Sequence, residues 1–209
     1  MNNIISYVIV VFLCGNTVVA QYLKLDNGIL STSYRNDYGR EIADIPIETY
    51  AVSAGFDYFN SKWFYLSSQI GYTRIGGRQK VNPLPGVEWD GLTFPAEKVN
   101  YIHLNTAIRG QKKFENGLAP FVGLGPYLNW RVGSDKFENN VLEELYELKS
   151  YCGGKAEVGF TFDVQKLRLG LSVVHLHNIT PTAKGFEWGL ELSNHNWGVF
   201  TSIGYRLFD

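Results

Sequence analysis

From Thr49 to Leu207 apolar residues recur at alternate positions in runs broken by turn residues, the pattern of strands with two unlike faces. Tyr50, Val52, Ala54, Phe56 and Tyr58 share one face of the first clear run, against Thr49, Ala51, Ser53, Gly55 and Asp57. The next sets Phe64, Leu66, Ile70 and Tyr72 against Tyr65, Ser67, Gln69, Gly71 and Thr73. Ile102, Leu104, Thr106 and Ile108 then oppose Tyr101, His103, Asn105, Ala107 and Arg109. Val122, Leu124, Leu128 and Trp130 oppose Phe121, Gly123, Gly125, Tyr127 and Asn129. Ala156, Val158, Phe160 and Phe162 oppose Lys155, Glu157, Gly159, Thr161 and Asp163, and Leu167, Leu169, Leu171 and Val173 oppose Arg168, Gly170 and Ser172. The last run sets Trp197, Val199, Ile203, Tyr205 and Leu207 against Gly198, Phe200, Ser202, Gly204 and Arg206. An eighth strand is expected first in order, within Tyr22 to Tyr34, where alternation is poor and Asp26-Asn27-Gly28 reads as a bulge or a turn.

The links between these runs predict the topology. Short ones fall near 60–62, 115–117 and 164–166, with Glu115-Asn116-Gly117 a hairpin signal. Long ones fall near 35–46, 76–97, 133–150 and 178–195, in strict alternation with the short. In an up-and-down barrel this places every short turn at one end and every long loop at the other, with both termini at the short-turn end. Transmembrane barrels are built that way, with short periplasmic turns and long extracellular loops. Within 133–150, Asn140 is placed to cap a brief helix with Leu142, Leu145 and Leu148 as its stripe. That helical turn would rest on the barrel mouth or, in a sharper reading, dock a partner.

Alternation alone fits a soluble barrel as well; the character of the two faces decides. A soluble barrel turns long polar side chains outward, whereas here the polar face is rich in Gly, Ser, Ala and Thr, which suit a cramped eight-stranded interior. The apolar face is nearly free of charge apart from Arg74 at a loop end, and a charge at mid-membrane would cost about 2–4 kcal/mol. Its aromatics cluster near strand ends. Tyr58, Phe64, Phe162 and Tyr205 lie by the short turns and Tyr50, Tyr72, Trp130 and Trp197 by the loops, as two interfacial girdles. The expected fold is therefore an all-β, eight-stranded antiparallel transmembrane barrel.

The chain's start adds an export signal to this picture. Ile4 to Leu13 form an apolar stretch too short to span a bilayer as a helix, followed by small residues up to Val18-Val19-Ala20. Residues 1–20 read as a signal peptide cleaved after Ala20, leaving 21–209 as one outer-membrane domain. Cys152 is then the lone cysteine, so no internal disulfide is expected. With 19 Lys and Arg against 20 Asp and Glu in 209 residues, the chain lacks the basic excess of a nucleic-acid binder. Its 13 Tyr, 13 Phe and 22 Gly favour crowded strands over packed helices.

Three stretches carry a resemblance to a known group: Lys62-Trp63-Phe64-Tyr65-Leu66-Ser67-Ser68 with Ile70-Gly71-Tyr72, Pro120-Phe121-Val122-Gly123-Leu124-Gly125-Pro126-Tyr127, and Ile203-Gly204-Tyr205-Arg206-Leu207-Phe208. The chain resembles the "porin family" of small outer-membrane barrels common in Bacteroidetes, similar in architecture to OmpA/OmpX-type barrels. The resemblance implies residence in the outer membrane of a Gram-negative cell. It also implies a C-terminal signal read by the barrel-assembly machinery, here Ile203, Tyr205, Leu207 and Phe208, with Asp209 following. The family name does not itself establish a pore.

The inward face brings together Asp57, His103, Arg109, Lys155, Glu157, Asp163, Arg168 and Arg206. Buried charges demand partners, so the expectation is a lumen plugged by salt bridges, with Lys155 and Glu157 pairing to Arg109 or Asp57 across it. An ion path or an acid–base pair is the alternative. A second constellation is His175-Leu176-His177-Asn178, whose two histidines share a strand face, an arrangement suited to a metal. It is similar to the His-x-Ser-Asn stretch of lipid A deacylases, although His177 stands where their serine is needed. An enzyme would draw on His175 with Glu187 or Glu191. The leading expectation is a monomeric, non-enzymatic barrel without metal or cofactor, in contact with outer-membrane lipid and acting through its extracellular loops. A narrow solute channel is a third reading.

Overall fold

Eight long strands build a wall: β1 (Ala20–Asn36), β2 (Ile47–Tyr58), β3 (Phe64–Gly77), β4 (Glu97–Gln111), β5 (Leu118–Ser134), β7 (Tyr151–Val164), β8 (Leu167–Asn178) and β10 (Glu191–Arg206). Two three-residue strands, β6 (Tyr146–Leu148) and β9 (Ala183–Gly185), extend the sheet beyond β10 in the order β10-β9-β6. This computed structural model describes residues 20–36, 45–59, 61–78, 96–134, 146–185 and 191–207, and among them there is no helix. Consecutive wall strands pair antiparallel, and β1 closes the ring on β10 from Tyr22–Arg206 to Asn36–Leu192. Closure leaves no free sheet edge in the wall, so backbone N–H and C=O groups are satisfied without water.

The first strand corrects the expectation for 22–34. Asp26-Asn27-Gly28 is neither bulge nor turn; all three lie in register with Ser202, Thr201 and Phe200 on one side and Ser53, Val52 and Ala51 on the other. Tyr22, Lys24, Asp26, Gly28, Leu30, Thr32 and Tyr34 are buried, and the residues between them face out. The alternation is obscured in the sequence because the inward set mixes aromatic, charged, small and apolar side chains. What irregularity there is comes earlier, a register shift between Ala20 and Tyr22.

The three tight links lie at one end. Ser61 Oγ accepts from the backbone N–H groups of Trp63 and Phe64 at 3.3 and 3.1 Å, Gly117 turns the second link at φ 85°, and Gln165-Lys166 make the third. At the opposite end the strands run further than expected, with β3 reaching Gly77 and β5 reaching Ser134. Most of the expected long links, the residues up to 19 and Phe208 lie outside the described residues. So do Asn140, Leu142 and Leu145 of the expected helix; Leu148 does not, and it belongs to strand β6. Tyr146 and Leu148 are buried while Glu147 is exposed, a period of two that pairs β6 with β9.

Burial divides the faces as the sequence implies. Outward Leu25, Ile29, Ile70, Ile108, Leu124, Val158, Val199 and Ile203 are all more than half exposed. One polar run on that side satisfies itself: Tyr58 Oη, Ser68 Oγ and Thr106 Oγ1 form a ladder with spacings of 2.7 and 2.9 Å.

Candidate functional site

The inward faces meet in a filled lumen. Nearest the tight turns, Arg168 donates from Nε and Nη2 to the two Asp163 oxygens at 2.7 and 3.0 Å, and from Nη1 to Asp57 at 3.5 Å. Its guanidinium lies 3.8 Å from the Tyr22 ring centre, and Arg206 donates to the Tyr22 hydroxyl from Nε and Nη2 at 2.9 and 2.6 Å. Lys24 sits 3.2 Å from Asp26 and 3.8 Å from Asp57, and donates to Ser67. One level further in, Arg109 holds Glu157 with two bonds of 2.5 and 2.8 Å while stacking over Phe121. Lys155 approaches the same carboxylate at 3.1 Å and donates to Asn105 at 3.2 Å. Gln69 joins the two groups by donating to Asp26 and accepting from Lys155. Arg–carboxylate forks of this kind are the strong form of buried ion pair.

Gly123 makes the upper fork possible. A Cβ there would stand 2.7 Å from Glu157 Oε1 and 3.0 Å from Arg109 Cγ, so any side chain would displace the pair. At the lower end, half-buried Lys113 lies outside the wall strands. Burial first, and then the charge of Arg168, pull its pKa below the ordinary lysine value.

Above the charges lies a cavity of about 30 Å³ between Asp26, Gln69 and Lys155 on one side and Leu30, Leu176 and Phe200 on the other. That is room for water and not for a solute. An apolar layer lies beyond it in the lumen, with Tyr101 and Tyr127 edge-on to Tyr151 at 5.2 and 6.1 Å. The Tyr151 hydroxyl accepts from Asn129 and Asn194, each at 2.6 Å. Tyr146 and Leu148 from β6 and Ala183 from β9 complete this layer.

All eight inward charges expected from the sequence do face the lumen, but they do not form one salt-bridge set. His103 bonds Asn129 at 2.6 Å instead of an acid, because it sits at the level of the tyrosines. Arg206 reaches Tyr22, not a carboxylate, and Lys155 reaches Glu157 and two amides, not Asp57. Lys24, Asp26, Tyr22 and Gln69 are members that the sequence pattern does not single out. Three of these lie on the strand whose alternation is unclear; its outward Leu23, Leu25 and Ile29 are the signal available.

No known family profile matches the chain, and no curated protein matches it by sequence. Solved structures do match. The outer-membrane protein OprG of Pseudomonas aeruginosa superposes with a TM-score of 0.58 at 11% identity, over 92% of this chain and 98% of that one. Neisserial surface protein A gives 0.55 at 11% identity, over 91% and 99%. The fold is that of a small outer-membrane β-barrel. In such a barrel the outer wall is a site as well as the lumen, and Tyr50, Phe64, Trp130, Phe162, Trp197 and Tyr205 stand exposed on it, with Tyr58 and Tyr72 half-buried beside them. His175 and His177 also stand on this wall, pointing away from the lumen. Glu187 is outside the described residues, and Glu191 is exposed at the start of β10. Among the described residues, no three metal-ligating side chains converge on a point.

Proposed function

We propose that this chain is an integral outer-membrane barrel with a closed lumen, which acts non-enzymatically through its outer wall and its loop end. The observation that carries this reading is the filling of the lumen. A continuous network runs from Arg206 through Tyr22, Arg168, Asp57, Lys24, Asp26, Gln69 and Lys155 to Glu157 and Arg109, under an aromatic layer. An ion would have to break several buried, charge-assisted bonds to pass. The exposed apolar belt supports lipid as the barrel's surroundings, and the likeness to two outer-membrane barrels supports the outer membrane as its place.

In this reading the tight turns are periplasmic and residues 1–20 are an export signal. Ile203, Tyr205, Leu207 and Phe208 guide assembly, the barrel is a monomer, and the porin-family resemblance is one of architecture. The test combines two measurements on the full chain. Unboiled protein from the outer-membrane fraction should migrate differently from boiled protein on a denaturing gel, and the folded barrel should leave a planar bilayer electrically silent. Steady unitary conductance by the folded barrel would refute the closed lumen, and recovery as a soluble periplasmic protein would refute the membrane placement.

A further inference from the structure

Three of the chain's four histidines gather on the outer wall. His177 is paired directly across the β8–β10 ladder with His195, and His175 with Trp197. The His175 ring lies 5.3 Å from His195, 6.4 Å from His177 and 4.3 Å from the Trp197 ring. Trp197 Nε1 donates to His195 Nε2 at 2.9 Å, while the buried Nε2 of His175 has no protein partner. His177 and His195 are exposed.

Their height on the barrel gives the patch its meaning. Tyr205 marks the tight-turn end of β10 and Trp197 lies eight residues along, which is about 20 Å across the bilayer for a strand tilted by about 40°. The apolar band of such barrels is about 25 Å tall, so His195 and His177, two residues further, sit where hydrocarbon gives way to headgroups. Just inward on the same wall are Val173 and Val199.

The surrounding charges favour an anion. Across the three ladders the imidazoles face Trp197, Ala156, Gly154 and Ser33 besides one another, none of them acidic. Further out, β1 presents exposed Arg35 opposite Ser193, and Glu191 of β10 is paired with Lys184 of β9. A neutral imidazole offers one N–H donor and a protonated one offers two. We propose that His175, His177 and His195, with Trp197, bind the phosphate of an anionic glycolipid in the outer leaflet. A lipid is favoured over free phosphate because the imidazoles stand directly above exposed Val173 and Val199, where the acyl chains of such a headgroup would lie. The proposal rests on the outer-membrane reading above.

The test uses the full chain folded in nanodiscs of phosphatidylcholine doped with a phosphorylated lipid A-type glycolipid or its dephosphorylated form. Lipid retained on the purified barrel is measured by mass spectrometry. Retention of the phosphorylated form should be about tenfold greater than that of the dephosphorylated form, the worth of one charge-assisted hydrogen bond. The triple variant His175→Asn, His177→Asn, His195→Asn should lose this preference while still showing the heat-dependent gel shift of a folded barrel. Equal retention of the dephosphorylated lipid, or a triple variant that keeps the preference, would overturn the proposal. So would displacement of the lipid by millimolar inorganic phosphate, which would identify a free-anion site, or retention that needs added zinc and disappears with chelator. A chain that folds into nanodiscs without selecting the lipid sinks this inference alone; a chain that does not insert sinks the outer-membrane reading with it.

Discussion

Replacing Glu157 with alanine probes the lumen at its most charged point. Its carboxylate holds Arg109 by two bonds of 2.5 and 2.8 Å and Lys155 at 3.1 Å, and all three side chains are at most 6% exposed. Each attraction is worth about 4 kcal/mol at an effective dielectric of about 20. The variant would leave both cations buried beside each other, Lys155 with the Gln69 and Asn105 amides and Arg109 with the Tyr65 hydroxyl as their remaining partners. Breaking one buried pair typically costs about 3–5 kcal/mol, and with two cations stranded the loss should fall at the upper end of that range. Urea unfolding in lipid vesicles, followed by the heat-dependent gel shift, should show a lowered midpoint with an unchanged slope. The double variant Arg109→Met, Glu157→Leu removes the fork as a unit and should lose much less, because its desolvation cost disappears with its attraction. If the single variant lost under about 1 kcal/mol, or the double lost more than the single, the fork would not be what orders the lumen.

Three further outcomes follow from particular positions. Gly123→Ala should cost about 1–3 kcal/mol by crowding Glu157, whereas Gly154→Ala, with nothing within 4 Å of its added Cβ, should be nearly neutral in the same unfolding assay. Leu124→Arg, at a position 68% exposed on the outer wall, should cost about 2–4 kcal/mol in vesicles; a neutral result there would argue against lipid around mid-strand. Tyr151→Phe removes the acceptor shared by Asn129 and Asn194 and should cost about 1–3 kcal/mol for each amide left unpaired, read as a lower unfolding midpoint.

Much of the barrel is legible because side chains in a strand alternate strictly, and because lipid and a cramped lumen select opposite kinds of residue. Val122, Leu124, Leu128 and Trp130 declare an outer face without reference to any other strand. Asp26-Asn27-Gly28 misleads because turn-forming residues also serve where a lumen needs a charge, at Asp26, and a small residue against Phe200, at Gly28, with Asn27 facing out between them. The stripe of Leu142, Leu145 and Leu148 suggests a helix, yet at Leu148 pairing of β6 with β9 decides the local structure.

The sequence by itself determined the facing of the seven clearly alternating strands and the inward charges they carry, since these are local consequences of a period of two. It did not determine which charge meets which. Arg109 and Glu157 are 48 residues apart, and Arg168 and Asp57 are 111 apart. Those partnerships depend on the register of several ladders added together around a closed ring. The same holds on the outer wall, where His175 and His177 declared a shared face, but only the β8–β10 register brought His195 and Trp197 beside them.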